Sequence, residues 1–298
     1  MIDGQTQLVG LIGWPVEHSL SPVMHNAAFD ALGLNWRYVP LPVPPGSLGA
    51  AVRGLLALGF RGANVTVPHK QAVMPMLDVV SNTAMELGAV NTLVIGRRED
   101  GTPATSGDNT DHRGFGQALR DGGFQPWAGM RAVVVGAGGA ARAVVYSLLR
   151  SGVSEIAVLN RTQERARLLV SDLRGFELRV RLSAPELTPD SLIALAGSAD
   201  LLVNTTPVGM WPQVDASVWP DRVPIPAHLT VFDLVYNPPE TQLLRLARQS
   251  GARAVGGLGM LVQQGALGFE MWTGQVAPVE VMRAACERAL RRSPCCDS

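Results

Sequence analysis

The feature that most constrains the fold of this chain is a glycine-rich loop between a predicted strand and a predicted helix. The strand covers residues 131–135, and the loop begins at Gly136 and ends at Gly139. Gly136 permits a tight turn, Gly138 lets a pyrophosphate approach the backbone, and Ala141 is small enough for the helix to pack on the strand. A helix N-terminus in this setting also attracts phosphate. The sequence therefore predicts a dinucleotide site.

The residues that follow the next predicted strand, 155–159, indicate which dinucleotide is bound. Enzymes that use NAD commonly place an acid there to bind the ribose 2′-hydroxyl. In this chain Asn160, Arg161 and Thr162 follow the strand, and Arg165 comes one helical turn later. No carboxylate is present to repel a 2′-phosphate, and the two guanidinium groups can bond it. We expect NADP; the alternative is that both arginines are solvated residues of a surface helix.

Short β-branched runs alternate with helical patterns along the chain, which indicates parallel sheets covered by helices. Strands are expected at 8–12, 61–67, 91–95, 131–135, 155–159, 200–204 and 229–235. The fold class is α/β, with an N-terminal α/β substrate domain plus a Rossmann-type doubly wound NADP-binding domain. We expect residues 1–111, completed by C-terminal helices in 257–298, to form the first domain and residues 112–256 to form the second.

Composition favours a small ligand over a polyanion. The 25 basic side chains balance the 25 acidic ones, so no overall field attracts nucleic acid or an anionic membrane. Residues 1–13 lack the pattern of a signal peptide, and we expect a cytoplasmic protein. The cysteines, Cys286, Cys295 and Cys296, and the scattered histidines predict no metal site.

Two serines lie in a loop after the first predicted strand. Ser19 and Ser21 precede Pro22, which suits the first turn of a helix. Ser21 alone could be the N-cap of that helix. This interpretation leaves Ser19 unexplained, so a hydroxyl-lined ligand site and a plain helix start both remain open.

A lysine and a carboxylate could supply acid–base chemistry. Asn64 and Thr66 lie on one face of a predicted strand, and Lys70 follows where we predict that a helix begins. A cation is unfavourable at a helix N-terminus, so Lys70 is either exposed or directed to the crevice beyond the strand ends. Reduction of a ketone needs a proton donor and a group that holds it. Lys70 beside Asp111 could provide both.

Six motifs taken together resemble those of shikimate dehydrogenases and occur in order along nearly the whole chain. They lie at residues 19–22, 64–70, 88–92, 107–111, 136–140 and 257–261. The resemblance implies reversible, NADPH-dependent reduction of 3-dehydroshikimate to shikimate in aromatic amino-acid biosynthesis. Two positions depart from the family pattern and affect local loop shape: His112 replaces a common glycine, and Asn82 replaces an acid that contacts the cofactor.

The resemblance also implies roles for individual residues. Lys70 would be the acid/base group, paired with Asp111. The substrate would be held by Ser19, Ser21, Thr66, Asn91, Asp111, Tyr236 and Gln264. The cofactor would be held by Gly136, Ala137, Gly138, Gly139, Ala140, Asn160, Arg161, Thr162 and Arg165, with Leu234 and Gly257 near the nicotinamide.

Two alternative functions remain open. The first is a quinate or dual quinate/shikimate dehydrogenase that uses NAD, against which residues 160–162 and, through the resemblance, Ser19 and Ser21 argue. The second is a non-catalytic NADP-binding sensor, which would not need Lys70 or Asp111. The expected binding partner is the small-molecule substrate, and we expect no binding to nucleic acid or to a membrane. The sequence does not decide between a monomer and a homodimer.

Overall fold

The computed structural model describes residues 2–177 and 179–292 and divides into two compact units. The first contains Met1–Asp111 and Val262–Arg291, and the second contains His112–Leu261. The chain returns to the first unit inside helix α9 (Leu258–Thr273). Cys295 and Cys296 lie outside the described residues.

The first unit is built on a six-stranded sheet with the order β2-β1-β3-β5-β6-β4. Its strands are β1 (Gln7–Gly13), β2 (Trp36–Pro42), β3 (Gly62–Val65), β4 (Val79–Val80), β5 (Thr92–Arg97) and β6 (Pro103–Asp108). β1 runs parallel to β2 and β3, but β5 is antiparallel to β3 and β6. The sheet is therefore mixed and not parallel throughout, since the short connection between β5 and β6 permits only an antiparallel pair.

Five α-helices of the described residues belong mainly to this unit. They are α1 (Ser21–Ala31), α2 (Leu48–Ala57), α3 (Asn82–Leu87), α9 and α10 (Val279–Arg291). α10 packs against α1, so the C-terminal part of the chain covers the helix that follows the serine loop.

The second unit has a parallel six-stranded sheet with the order β12-β11-β10-β7-β8-β9. Its strands are β7 (Arg131–Val135), β8 (Glu155–Leu159), β9 (Arg181–Ser183), β10 (Leu201–Asn204), β11 (Thr230–Asp233) and β12 (Arg253–Gly256). Its helices are α4 (Asp111–Asp121), α5 (Gly139–Arg150), α6 (Gln163–Leu173), α7 (Pro189–Gly197) and α8 (Gln242–Gln249). This is the Rossmann strand order, in which the direction of winding reverses between β7 and β10.

Both faces of this parallel sheet are covered. Ala132 and Val134 pack into one apolar cluster, and Val133 and Val135 pack into another. The uninterrupted apolar run of β7 therefore fills two cores at once, which explains why it lacks the alternation of a half-exposed strand. No helix in the described part of the chain combines the length and the apolar character that crossing a membrane requires.

Two local predictions are wrong. No α-helix begins at Lys70: its carbonyl accepts the N–H of Val90 at 2.8 Å, and the N–H of Met74, which would bond that carbonyl in an α-helix, bonds the carbonyl of Gln71 at 3.2 Å instead. Ser21 is not an N-cap, since it is the first residue of α1 and the capping position belongs to Leu20. The hydroxyl of Ser19 accepts the backbone N–H of Ser21 at 3.2 Å instead, which gives Ser19 a local structural role.

Candidate active site

The least exposed ion pair in the described part of the first unit joins Lys70 to Asp111. Nζ of Lys70 lies 2.5 Å from Oδ2 of Asp111, and the two side chains are 15% and 7% exposed. Asp111 opens α4, where the helix dipole favours a carboxylate, and its N–H is bonded to Oδ1 of Asn109 at 3.0 Å. The backbone and the side chain of Asp111 are both fixed, so the ammonium group has a defined partner.

Asn91 holds the other oxygen of the same carboxylate. Its Oδ1 accepts the backbone N–H of Thr110 at 2.8 Å, and because a backbone N–H can only donate, the orientation of the amide is determined. The Nδ2 of Asn91 consequently donates to Oδ1 of Asp111 at 2.8 Å and lies 3.4 Å from Oε1 of Gln264. Each oxygen of Asp111 therefore has its own donor, one neutral and one charged.

Lys70 is the only lysine in the chain, because the other 24 of the 25 basic residues are arginines. An ammonium can release a proton to a substrate, whereas a guanidinium does not deprotonate in proteins. The partial exposure of Lys70 also allows its proton to be replaced from water. The arrangement can act as a general acid in one direction and as a general base in the other.

The serine loop and the segment before Lys70 lie side by side. The N–H of Trp14 donates to the carbonyl of Val67 at 3.1 Å, and a Cβ added to Gly13 would contact the side chain of Thr66. Ser19 and Thr66 are half-buried, and Ser21 is buried. The structure thus brings these three hydroxyl residues to the ends of β1 and β3.

The glycine loop of the second unit has the geometry that its sequence predicts. Gly136 has φ +116°, and a Cβ there would contact Oγ1 of Thr205. Gly138 is the N-cap of α5, and no heavy atom lies within 4 Å of an added Cβ. Ala141 is fully buried. The loop therefore leaves open backbone at the start of α5, which fits a bound phosphate group.

Arg161 and Arg165 differ from their neighbour Arg167 in their surroundings. Arg167 bonds Gln163 at 3.1 Å and lies 3.8 Å from Glu164. The guanidinium groups of Arg161 and Arg165 are exposed and have no partner among the residues that the structure describes. Two available cations at the end of β8 fit the 2′-phosphate of NADP better than the 2′-hydroxyl of NAD.

The other predicted cofactor residues lie at two places in the second unit. Asn160 and Thr162 lie between β8 and α6, and Leu234 lies against Gly257. Nδ2 of Asn160 donates to the carbonyl of Thr162 at 2.9 Å, which closes the turn into α6. A Cβ added to Gly257 would contact the carbonyl of Leu234, so these two predicted nicotinamide neighbours are adjacent. Tyr236 is half-buried in the segment after β11.

A buried carboxylate that the sequence analysis missed lies at the end of β11. Oδ1 of Asp233 accepts Nδ2 of Asn204 at 2.9 Å and the N–H of Val235 at 3.1 Å. Its Oδ2 accepts the hydroxyl of Thr241 at 2.6 Å. Burial raises the pKa of the Asp233 carboxyl to about 6, although these hydrogen bonds act to lower it. An acid that ends an otherwise apolar strand was the available signal.

His112 and Asn82, the two residues that depart from the family pattern, each lie in the first turn of a helix. His112 packs edge-on against Tyr146 of α5, with 5.4 Å between the ring centroids. Asn82 is the first residue of α3, directly after the N-cap Ser81.

Comparison with known families gives matches along most of the chain. The Shikimate dehydrogenase substrate binding domain matches residues 11–93, Shikimate / quinate 5-dehydrogenase matches residues 119–204, and the Shikimate 5'-dehydrogenase C-terminal domain matches residues 257–287. A shikimate dehydrogenase (NADP(+)) from Methanopyrus kandleri is 49% identical over 97% of this chain and 98% of its own length.

Two solved structures extend the comparison. Shikimate 5-dehydrogenase from Thermus thermophilus, in complex with NADP(H) and shikimate, has a TM-score of 0.82 and is 38% identical, covering 96% of this chain and 100% of its own. Quinate dehydrogenase from Corynebacterium glutamicum, in complex with NAD, has a TM-score of 0.84 and is 34% identical, covering 95% of this chain and 99% of its own.

Proposed function

Since the chain belongs to the shikimate dehydrogenase family, we propose that it catalyses the reversible, NADP-dependent interconversion of 3-dehydroshikimate and shikimate. The observation that carries this proposal is the ion pair between Lys70 and Asp111, at 2.5 Å. A pair of this kind can give a proton to a carbonyl oxygen and recover it from the alcohol. The product serves aromatic amino-acid biosynthesis.

Lys70 is the proton donor in the reductive direction. As the carbonyl carbon gains a hydride, its oxygen takes a proton from Nζ of Lys70, which leaves a neutral amine that water reprotonates. Bound NADPH supplies the hydride. Asp111 keeps the ammonium in place, and Asn91 holds Asp111 through Oδ1. In the oxidative direction the neutral amine accepts the hydroxyl proton.

The first unit supplies most of the proposed substrate contacts. Ser19, Ser21 and Thr66 offer hydroxyl groups, and the amides of Asn91 and Gln264 offer donors and acceptors. Asn91 lies beside Asp111, and Gln264 lies beside Asn91, which supports their assignment. Tyr236 completes the set through the family resemblance.

The second unit supplies the proposed cofactor contacts. The backbone of residues 136–140 would hold the pyrophosphate, and Arg161 and Arg165 would hold the 2′-phosphate, with Asn160 and Thr162 in the same turn. Leu234 and Gly257 would lie beside the nicotinamide. The open backbone at Gly138 and the exposed guanidinium groups support this assignment.

The alternative is oxidation of quinate with NAD, as the name of the Corynebacterium protein states for that enzyme. The test uses purified protein with shikimate or quinate, each with NADP+ or NAD+, and follows absorbance of the reduced nicotinamide. We expect the highest kcat/KM for shikimate with NADP+. A higher value for quinate with NAD+ would replace the proposal, and no reduction in any pairing would favour a sensor.

A further inference from the structure

A line of buried polar side chains crosses the sheet of the first unit and ends at Asp111. Tyr38 lies on β2, Asn64 on β3 and Thr92 on β5, and their exposed fractions are 2%, 5% and 0%. None of the three belongs to the proposed substrate or cofactor contacts. Burying a polar group costs folding free energy unless the group has a hydrogen-bond partner, so each of the three side chains is expected to be bonded.

The bonds run in one direction. The Tyr38 hydroxyl donates to Oδ1 of Asn64 at 2.9 Å, and Nδ2 of Asn64 donates to Oγ1 of Thr92 at 3.2 Å. The Thr92 hydroxyl then donates to Oδ1 of Asn91 at 2.9 Å. Because Nδ2 of Asn91 donates to Asp111, every donor in the series faces toward the carboxylate.

The direction is chemically determined at both amides. Nδ2 of Asn64 also donates to the carbonyl of Asn91 at 3.2 Å, and a carbonyl can only accept. The N–H of Thr110 fixes Asn91 in the same way. Aligned hydrogen bonds polarise one another in a medium of low dielectric constant, so the series strengthens the final donor to Asp111.

The far end of the series lies against α1, the helix that follows the serine loop. The Tyr38 ring stacks on His25 of α1, with 4.5 Å between centroids and 6° between planes. The stacking restricts the ring, so its hydroxyl keeps a constant position. One series of bonds therefore runs from a residue packed on α1 to Asp111, the partner of the proposed proton donor.

We propose that Tyr38, Asn64 and Thr92 form a hydrogen-bond relay that positions Asn91 and Asp111, and thereby sets the placement of Lys70 for proton transfer. The inference rests on the proposed function for its catalytic consequence. Thr92 is the positioning residue at the centre of the relay, since its hydroxyl both accepts from Asn64 and donates to Asn91.

The test compares Thr92→Val, which removes the hydroxyl at nearly constant shape, with Thr92→Ser, which keeps it. We expect Thr92→Val to lower kcat for shikimate oxidation about tenfold while KM for NADP+ stays unchanged, and Thr92→Ser to restore most of kcat. Thr105→Val is the matched control. Thr105 is a buried threonine of β6 whose hydroxyl bonds Asp78 and not the relay, so its loss should leave kcat near wild type.

A second measurement does not depend on turnover. Because Lys70 is the only lysine, an amine-selective acylating reagent has only two amines to modify, this side chain and the N-terminal amine, and peptide mass spectrometry separates the two. If the relay holds Asp111 against Lys70, Thr92→Val should increase the acylation rate of Lys70 severalfold at fixed pH, whereas Thr92→Ser and Thr105→Val should not. Equal rates in Thr92→Val and Thr105→Val would overturn the relay even if the enzyme proves active on shikimate.

Tyr38→Phe keeps the test decisive if Thr92→Val does not fold. Tyr38 lies two bonds further from Asn91, so its variant should increase Lys70 acylation less than Thr92→Val but more than Thr105→Val. A wild-type protein inactive on shikimate would refute the proposed function. The order of the Lys70 acylation rates among the variants would still show whether the relay exists. Acylation of Tyr38→Phe at the rate of Thr105→Val would count against the relay.

Discussion

Nζ of Lys70 and Oδ2 of Asp111 are 2.5 Å apart although the two residues are 41 positions apart in the chain. Two different hydrogen bonds hold these two residues in place. A backbone bond to Val90 places Lys70 beside β5, and Asn91 orients Asp111. The bond from Asn91 is made by a side chain, so a substitution can remove it without changing Lys70 or Asp111.

Substitution of Lys70 should separate charge from proton transfer. We expect Lys70→Ala to lower kcat for shikimate oxidation by about a hundredfold or more, the usual range for a general acid or base. Lys70→Arg keeps the cation but not the labile proton, so it should be nearly as inactive. Both variants should bind NADPH with wild-type Kd by fluorescence titration. Near-normal turnover of either variant would remove Lys70 from the proton-transfer step.

Two arginines after β8 should determine cofactor choice. Arg161→Ala and Arg165→Ala should each raise KM for NADP+ about tenfold, because each loses a charge-assisted bond to the 2′-phosphate. KM for NAD+ should change little. Arg167→Ala is the control, since Arg167 is already bonded to Gln163. Equal effects of all three substitutions on NADP+ would contradict a specific phosphate clamp.

Two glycines of the same loop should respond differently to a methyl group. Gly136→Ala places a Cβ against Thr205 at φ +116°, so we expect Tm to fall by several degrees, as for a loss of about 1–3 kcal/mol. Gly138→Ala meets no neighbouring atom and should keep Tm while raising KM for NADP+. Thermal melts and steady-state kinetics on both variants test this. A lower Tm for Gly138→Ala than for Gly136→Ala would contradict the loop geometry.

Asp233 should make stability depend on pH. Burial raises the pKa of its carboxyl from 3.8 to about 6, so the folded state favours the protonated form. Its contribution to stability is complete below about pH 4 and is lost as pH rises through about 6. Relative to Asp233→Asn, the free energy of unfolding of the wild type should fall by up to about 3 kcal/mol between pH 4 and 7. Urea unfolding at several pH values measures the difference. A constant or rising difference would exclude a raised pKa.

Local patterns predicted the second unit well and the first less well. The apolar runs of β7 and β8 give the observed bounds, because strands buried on both faces need continuous apolar sequence. In place of the helix expected at Lys70, the Lys70 carbonyl bonds the N–H of Val90, a contact between residues 20 positions apart that no local pattern contains.

The residues alone predicted only part of the candidate site. Lys70 and Asp111 could be selected as an acid–base pair, but Tyr236 and Gln264 required the family resemblance. Asp233 and the relay through Thr92 were missed, since a buried polar residue is identified by its partners, and those partners lie on other strands.

The fixed amide of Asn91 has a consequence for the working lifetime of the protein. Its Nδ2 faces Oδ1 of Asp111 at 2.8 Å, and hydrolysis of that amide to aspartate would replace a donor with a second anion. Two carboxylates at this distance repel one another and one would take up a proton. Deamidation of Asn91 would therefore remove a donor on which the proposed activity depends. It would change the mass by only about the mass of one hydrogen atom, because one NH2 is exchanged for OH.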